Sequence, residues 1–246
     1  MLTKEYFREL IPEYQKRFQN LSAQEVLEEA FRLFPVDQIA QSSSFAIESQ
    51  TITSMIMEIR PDARIFTIDT GRLPQETYNV MSATMNRYGF RYEVLFPDFS
   101  DVEKMVSEHG PNLFYDNRDK RLLCCRVRKV EPLKRKLATL SAWICGLRKG
   151  QSVTRTGLRK IEWDEVNGLV KINPIADWTL EQVWEYIRKH NVPYNALYDR
   201  GYTSIGCEPC TRAVQLGEDV RAGRWWWEKA EHKECGLHAR PINYEI

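Results

Sequence analysis

The absences in this sequence are informative before any motif is. No apolar run approaches the about eighteen residues that a membrane-crossing helix needs, and the opening MLTKEYFREL lacks the apolar segment of a secretory signal, so the protein is expected to be cytoplasmic with no membrane partner. Net charge is almost absent as well. A formal +1 from 35 basic and 34 acidic side chains argues against a broad attraction to nucleic acid, and any anionic ligand should be small. There is no internal repeat and no low-complexity segment. What is present, 246 residues that are 43% hydrophobic, suffices for a large core. The expected organisation is a single domain over residues 1–228 followed by a mobile tail over 229–246.

Strand and helix patterns alternate along the chain. A helical lead-in ends with a helix opened by the capping box Ser22-Ala-Gln-Glu25. VDQIAQ then reads as a strand, and QTITSMIMEI places Ile52, Met55, Ile56 and Ile59 on one helical face. RIFTID reads as a second buried strand, ETYNVMSATMNRY as a helix closed by Gly89, RYEVLF as a third strand and DVEKMVSEH as a helix. Later come the apolar run SAWICGL, a hairpin turn at Asn167-Gly168, the strand VKINPI, and a helix opened by a second capping box at Thr179-Leu-Glu-Gln182. This alternation predicts an α/β fold with a mostly parallel, twisted sheet flanked by helices.

In such a sheet ligands sit beyond the carboxyl ends of the strands, which directs attention to SSSFAIES after the first strand and DTGRLPQE after the second. Ser43 and Ser44 offer hydroxyls beside a helix N-terminus, where unpaired N–H groups favour an anion, although serines there also serve as plain caps. Asp69, Thr70, Gly71 and Arg72 supply an acceptor, a flexible turn and a cation. Further cations follow: Arg148 and Arg155 in GLRKGQSVTR, after an apolar strand, and Arg221 and Arg224 in EDVRAGRWWWE, which would share one side if that segment were helical. Trp225 to Trp227 read as core or interface.

Six cysteines in a reducing compartment are expected to be metal ligands, nucleophiles or buried apolar residues rather than disulfides. Cys124 and Cys125 are adjacent, and Cys207 and Cys210 form a C-x-x-C, giving four thiolates in two pairs. Such a set suits a tetrahedral zinc or a [4Fe-4S] cluster. The roughly 80-residue separation is long for a zinc ribbon, and favours a centre that joins distant parts of a fold. Adjacent cysteines diverge by about 100° on a helix, so both reach one centre only where the backbone bends or the centre is large. Lys129 follows Cys125 by four residues and would share its helical face, against the plainer reading of a solvated basic face with Arg126 and Arg128. Cys235, in KECGLHARPINYEI close to the C-terminus, is expected to be exposed, and an exposed thiol is a liability unless its chemistry is used.

These segments together carry a resemblance. DTGRLPQETY, CCRVRKVEPL, GLRKGQSVTR, NPIADWTLEQVWEYI, VPYNALYDRGYTSIGCEPCTR, GEDVRAGRWWWE and KECGLH resemble, in order and over most of the chain, the assimilatory adenylylsulfate (APS) reductases of the iron–sulfur type. The resemblance implies an adenine-nucleotide-binding, PP-loop-like α/β fold and a [4Fe-4S] cluster on Cys124, Cys125, Cys207 and Cys210. It also implies Cys235 as nucleophile, Lys129 beside the cluster, and Arg155, Arg221 and Arg224 on the phosphosulfate. Ser43, Ser44 and Asp69 to Arg72 would serve the nucleotide, with thioredoxin as reductant and a homo-oligomer as the assembly. One departure stands out: the loop SSSFAIES has no glycine, with Ala46 and Ile47 where small residues are expected. PAPS reduction, or dual use of APS and PAPS, is the alternative reading. A tRNA-thiolating enzyme and a metal-stapled binding module are the more distant ones, which the near-neutral charge and Cys235 respectively disfavour.

Overall fold

The computed structural model describes residues 4–151 and 157–229. Two compact units divide the chain. The first takes the described residues up to Thr67, Asn79–Glu93 and Leu137–Asn195; the second takes Ile68–Tyr78, Val94–Lys136 and the described residues from Ala196.

The helical lead-in is α1 (Lys4–Phe18) and α2 (Ala23–Leu33), and α2 starts where the capping box predicts it: Ser22 accepts from the Glu25 amide while the Glu25 carboxylate accepts from the Ser22 amide. β1 (Ile39–Ser42), α3 (Ile47–Ile59), β2 (Arg64–Ile68), α4 (Gln75–Tyr88) and β3 (Glu93–Leu95) follow as predicted. Next come α5 (Phe99–His109) and α6 (Arg118–Cys125). A π-helical turn (Arg126–Val130) then leads into α7 (Glu131–Leu137), with Pro132 in the first turn of α7, where its missing N–H is harmless. The remaining elements are β4 (Ala142–Ile144), β5 (Ile161–Asp164), β6 (Leu169–Ile172) and α8 (Leu180–Lys189), the last opened by the Thr179–Gln182 capping box.

The six strands order as β3-β2-β1-β4-β6-β5. β1 pairs in parallel with β2 and β4, and β4 with β6, while the hairpin partner β5 runs antiparallel to β6. Ile39, Ala40, Ile65, Phe66, Ala142, Trp143, Ile144, Leu169, Val170 and Ile172 are all buried, the continuous apolar character of strands covered on both faces. The strands are shorter than the apolar runs suggest. VKINPI, for example, stays in the ladder only to Ile172, two residues ahead of Pro174, which cannot donate to a neighbour. No helix among the described residues is long and apolar enough to cross a membrane.

Candidate active site

In the sheet unit, β1 runs into the serine loop and α3. Ser43 is buried, with its amide on the Phe66 carbonyl at 2.8 Å and its hydroxyl 3.4 Å from the Phe45 amide. Ser44 and Ser49 satisfy each other at 3.1 Å between hydroxyls, so neither caps α3. The cap position belongs to Ala46, which has no side chain to offer the first amides of the helix. With no glycine in the loop, the left-handed position falls on Phe45, at φ 59°, a conformation that costs about 1 kcal/mol or more for a residue with a Cβ. Its buried ring, packed edge-on to Tyr92 at 5.1 Å, helps to hold it there. The backbone strain that a glycine would relieve is thus at Phe45, ahead of Ala46 and Ile47. Arg148 lies buried in the same unit and gives its Nε and Nη2 to Glu48 Oε1 at 3.1 and 2.7 Å. Cys145 is buried nearby in the sheet, 4.0 Å from the Ser42 hydroxyl, and burial pushes its thiol up to about 12, so it is held inert.

The second unit gathers the other predicted residues. Leaving β2, Asp69 accepts from the Gly71 amide at 2.8 Å and from the Tyr78 hydroxyl at 3.0 Å on each oxygen. Burial, together with that carboxylate, pushes the Tyr78 phenol up to about 12, which keeps it a donor. Gly71 takes φ 70°, the left-handed conformation that glycine adopts without strain, which allows the turn beside Arg128. Arg128 donates from Nη1 to the Thr70 carbonyl at 2.7 Å. Arg72 points its guanidinium to the Pro111 carbonyl and to Asn112 Oδ1, above the Phe114 ring. Its own carbonyl accepts from the Glu208 amide at 2.8 Å, inside the C-x-x-C turn.

That turn and the Cys-Cys pair face one cavity. Cys124, Cys125, Cys207 and Cys210 line it together with Lys129, Arg128, Arg121 and Trp225. All four thiols are buried and unpaired by disulfide. The bend that adjacent cysteines require is present: α-helical geometry ends at Cys125 and the next five residues form the π turn. This turn also changes the register on which the Lys129 prediction rested, yet Lys129 still lines the cavity, and Arg128 is buried rather than solvated. Burial pushes the Cys207 thiol up, but the Lys129 charge, the Thr70 hydroxyl at 3.2 Å and Arg224 outweigh it, and the net direction is down. Cys210 goes the other way, to about 12, through burial and the adjacent Cys207, and burial likewise raises Cys124.

Arg221 and Arg224 do not share a helical side. The segment is a turn, and Arg224 forms a bridge to Thr211 and lies buried over Gly206. A Cβ at Gly206 would be 2.4 Å from Arg224 Nη2, so glycine is what admits this arginine. Arg221 is half-buried, its amide on Asp219 Oδ1 at 2.8 Å. Arg155 and Cys235 lie outside the described residues. Three contributors went unrecognised in the sequence. Trp225 has a buried ring over which the guanidiniums of Arg121 and Arg224 both lie, each 4.6 Å from its centroid, and Arg128 and Arg121 sit in the cavity wall. The arginines' spacing from the cysteine pair in RLLCCRVRK was the available signal.

Whether a metal centre fits is answered by the donors. Among the described residues no group of three or more His, Cys, Asp or Glu converges on a point suited to one ion. The four thiols instead ring a space, and buried donors at its edge, Trp225 Nε1 and Arg128 Nε, have no acceptor. Four soft ligands around a space with outlying N–H donors fit a polynuclear sulfide-bearing centre better than a single zinc.

Comparison with known proteins identifies the family. Residues 38–213 match the family model for the phosphoadenosine phosphosulfate reductase domain. The chain is similar to the adenosine 5'-phosphosulfate reductase of Allochromatium vinosum, 54% identical over 83% of this chain and 80% of that protein. It is also similar to that of Burkholderia cepacia, 48% identical over 84% and 82%. Among solved structures, the phosphoadenylyl-sulfate reductase of Candida auris in its phosphate complex aligns with a TM-score of 0.71 at 32% identity, covering 87% of this chain and 98% of that one. FMN adenylyltransferase of Candida glabrata, at 18% identity and TM-score 0.55, shares the fold over 96% of this chain and 80% of its own. Its fold, its cysteine cavity and these matches together show that this chain belongs to the phosphoadenosine phosphosulfate reductase family.

Proposed function

We propose that this protein reduces adenylyl sulfate (APS) to sulfite and AMP in sulfate assimilation. The observation that carries the reading is the cavity, where two cysteine pairs far apart in sequence meet beside Lys129. The names of the similar proteins from Allochromatium and Burkholderia support APS over its 3'-phosphorylated relative. Cys124, Cys125, Cys207 and Cys210 would hold a [4Fe-4S] cluster, which, when bound, supplies a staple between two distant stretches of chain with no change of oxidation state required.

The chain's own residues account for the rest. The turn from Asp69 to Arg72 serves the adenosine side, its carboxylate already oriented by Tyr78 and Gly71. Ser43, Ser44 and the uncapped amides of α3 serve phosphate. Arg148 shapes this loop through Glu48, and Arg155, Arg221 and Arg224 serve the phosphosulfate anions. Lys129 supplies positive charge where the sulfate group gathers electron density. The Cys235 thiolate attacks the sulfate sulfur; a new S–S bond forms as the sulfur–oxygen bond to phosphate breaks, and AMP leaves with the electron pair. A dithiol protein such as thioredoxin then attacks Cys235 Sγ, sulfite leaves, and the second thiol resolves the mixed disulfide, returning Cys235 as a thiolate.

The test is to supply APS without reductant. One sulfonate mass on the peptide containing Cys235, about one AMP per chain, and sulfite release on adding thioredoxin are expected. Release of adenosine 3',5'-bisphosphate from PAPS at a higher rate would replace the APS assignment with the PAPS one, and an equal rate would make it dual use. Label on Cys145, or undiminished sulfite formation in Cys235→Ser, would overturn the mechanism.

A further inference from the structure

One buried ion pair at the cysteine cavity has no part in the scheme above. Arg121 stands one helical turn before Cys125 on α6, and its side chain is 0% exposed. A fully buried guanidinium is unfavourable unless every face of it is compensated. Glu228, at 7% exposure, takes Nε and Nη2 as a bidentate fork at 2.9 and 2.7 Å. The guanidinium carbon lies over the Trp225 ring, 4.6 Å from its centroid. The group also lines the cavity together with Cys125, which follows it by one helical turn. One side chain therefore lines the cavity with its thiols, lies over an aromatic wall of it, and holds the segment that follows the C-x-x-C turn.

A fork of this kind is more than filler. A leucine or methionine in its place would bury the same volume without the desolvation of two charges. Pairing with Glu228 through Nε and Nη2 cancels the net charge, so the pair sets a fixed polar group beside Cys125 without adding a full charge to a site that already holds Lys129. Hydrogen bonds to ligand sulfurs withdraw electron density from them and raise the reduction potential of the centre they hold.

We propose that Arg121 is a positioning residue of the cysteine site: fixed by Glu228 and Trp225, it orients the Cys125 sulfur and lowers its electron donation to the bound centre. This rests on the cluster reading of the four cysteines. The experiment begins with iron and acid-labile sulfide in the anaerobically purified wild-type protein, which tests that reading alone. Arg121→Gln and Glu228→Gln are then compared with wild type by resonance Raman spectroscopy and by redox titration. Arg121→Gln removes the charged donor, so the terminal iron–sulfur stretching bands and the midpoint potential should move in one direction, the potential becoming more negative. Glu228→Gln leaves Arg121 uncompensated and should move both in the opposite direction, while Arg121→Lys should lie between Arg121→Gln and wild type. A purely structural role would move the two glutamine variants alike or not at all, and either outcome overturns the proposal. Where Arg121→Gln does not fold, the direction of the Glu228→Gln shift decides. If wild type carries zinc without iron, the cluster reading fails on its own, and the thiolate-to-metal absorption band of the cobalt-substituted variants carries the same comparison. Absence of any bound metal would overturn both.

Discussion

The two units of this chain spend their buried polar groups differently. In the sheet unit the largest of these groups close on one another: Gln41 donates to the Ser49 carbonyl and accepts from Thr53, and Arg148 is matched by Glu48, while scattered single atoms such as Gln50 Oε1 and Thr51 Oγ1 lie buried without a partner. Around the cysteine cavity they converge on a space instead. Four thiols, Lys129, and donors without acceptors on Trp225 and Arg128 surround it. The first pattern rigidifies a scaffold. The second leaves interactions open for something the protein binds, which is where natural sequences tolerate local expense. Substitutions in the core of the sheet unit, away from the serine loop, should therefore be read as lost stability, and those at the cavity as lost metal or lost rate.

The largest effect should come from the cavity. Cys207→Ala removes a thiolate that two turns of chain converge on, through Thr70 and through the C-x-x-C turn itself. Loss of iron and sulfide, loss of sulfite formation and a clear fall in melting temperature are expected together, because metal binding free energy is also folding free energy. Full iron content in this variant would break the assignment of the four ligands.

Next is the sheet. Phe66→Ala on β2 deletes a ring that is 1% exposed, and should destabilise by about 3–5 kcal/mol. Chemical denaturation measures the loss. Iron per folded chain should stay at the wild-type value, and a proportional loss of iron would erase the contrast between the two regions.

Legibility in the sequence divides along the same line. β1, α3, β2, α4 and α8 were readable because their periodicity and caps are local, as Ser22 and Thr179 show. The cysteine pairs were readable as ligands, but their meeting depends on long-range folding, and the resemblance to a family supplied it. Arg221 and Arg224 would share one side only on a helix, and none forms there, since a turn rich in glycine and tryptophan has no period to follow. Arg121 was invisible for another reason. A charged residue on a short helix reads as surface, and only its distant partners Glu228 and Trp225 show that it is interior.

Lys129→Ala comes third and separates rate from stability within the cavity. Lys129 acts on Cys207 and Cys210 by its charge, and it lines the space those thiols face. Turnover should fall on the order of a hundredfold, with melting temperature and iron near wild type. Steady-state sulfite release and iron analysis check this. A wild-type rate would reduce Lys129 to a cation that neutralises thiolates and no more.

The smallest effect belongs to the rim of the sheet unit, where Asp177 meets Lys149 and Lys160. Burial tends to raise its carboxyl, but the two lysines outweigh that and hold it below the ordinary value. A carboxylate depressed in the folded state contributes stability above its unfolded pKa and loses it as pH falls through the lower, folded one. The contribution should therefore be present at neutral pH and fade in the acid range below about pH 4. Asp177 is half exposed, so solvent screens the pair and Asp177→Asn should cost less than about 1 kcal/mol at pH 7. Denaturant titrations of wild type and variant at pH 7 and pH 3 test the sign: the difference should shrink toward zero at the lower pH. A gap that widens on acidification would mean that the lysines are not what sets this carboxyl, and that burial dominates at the rim as well as in the core.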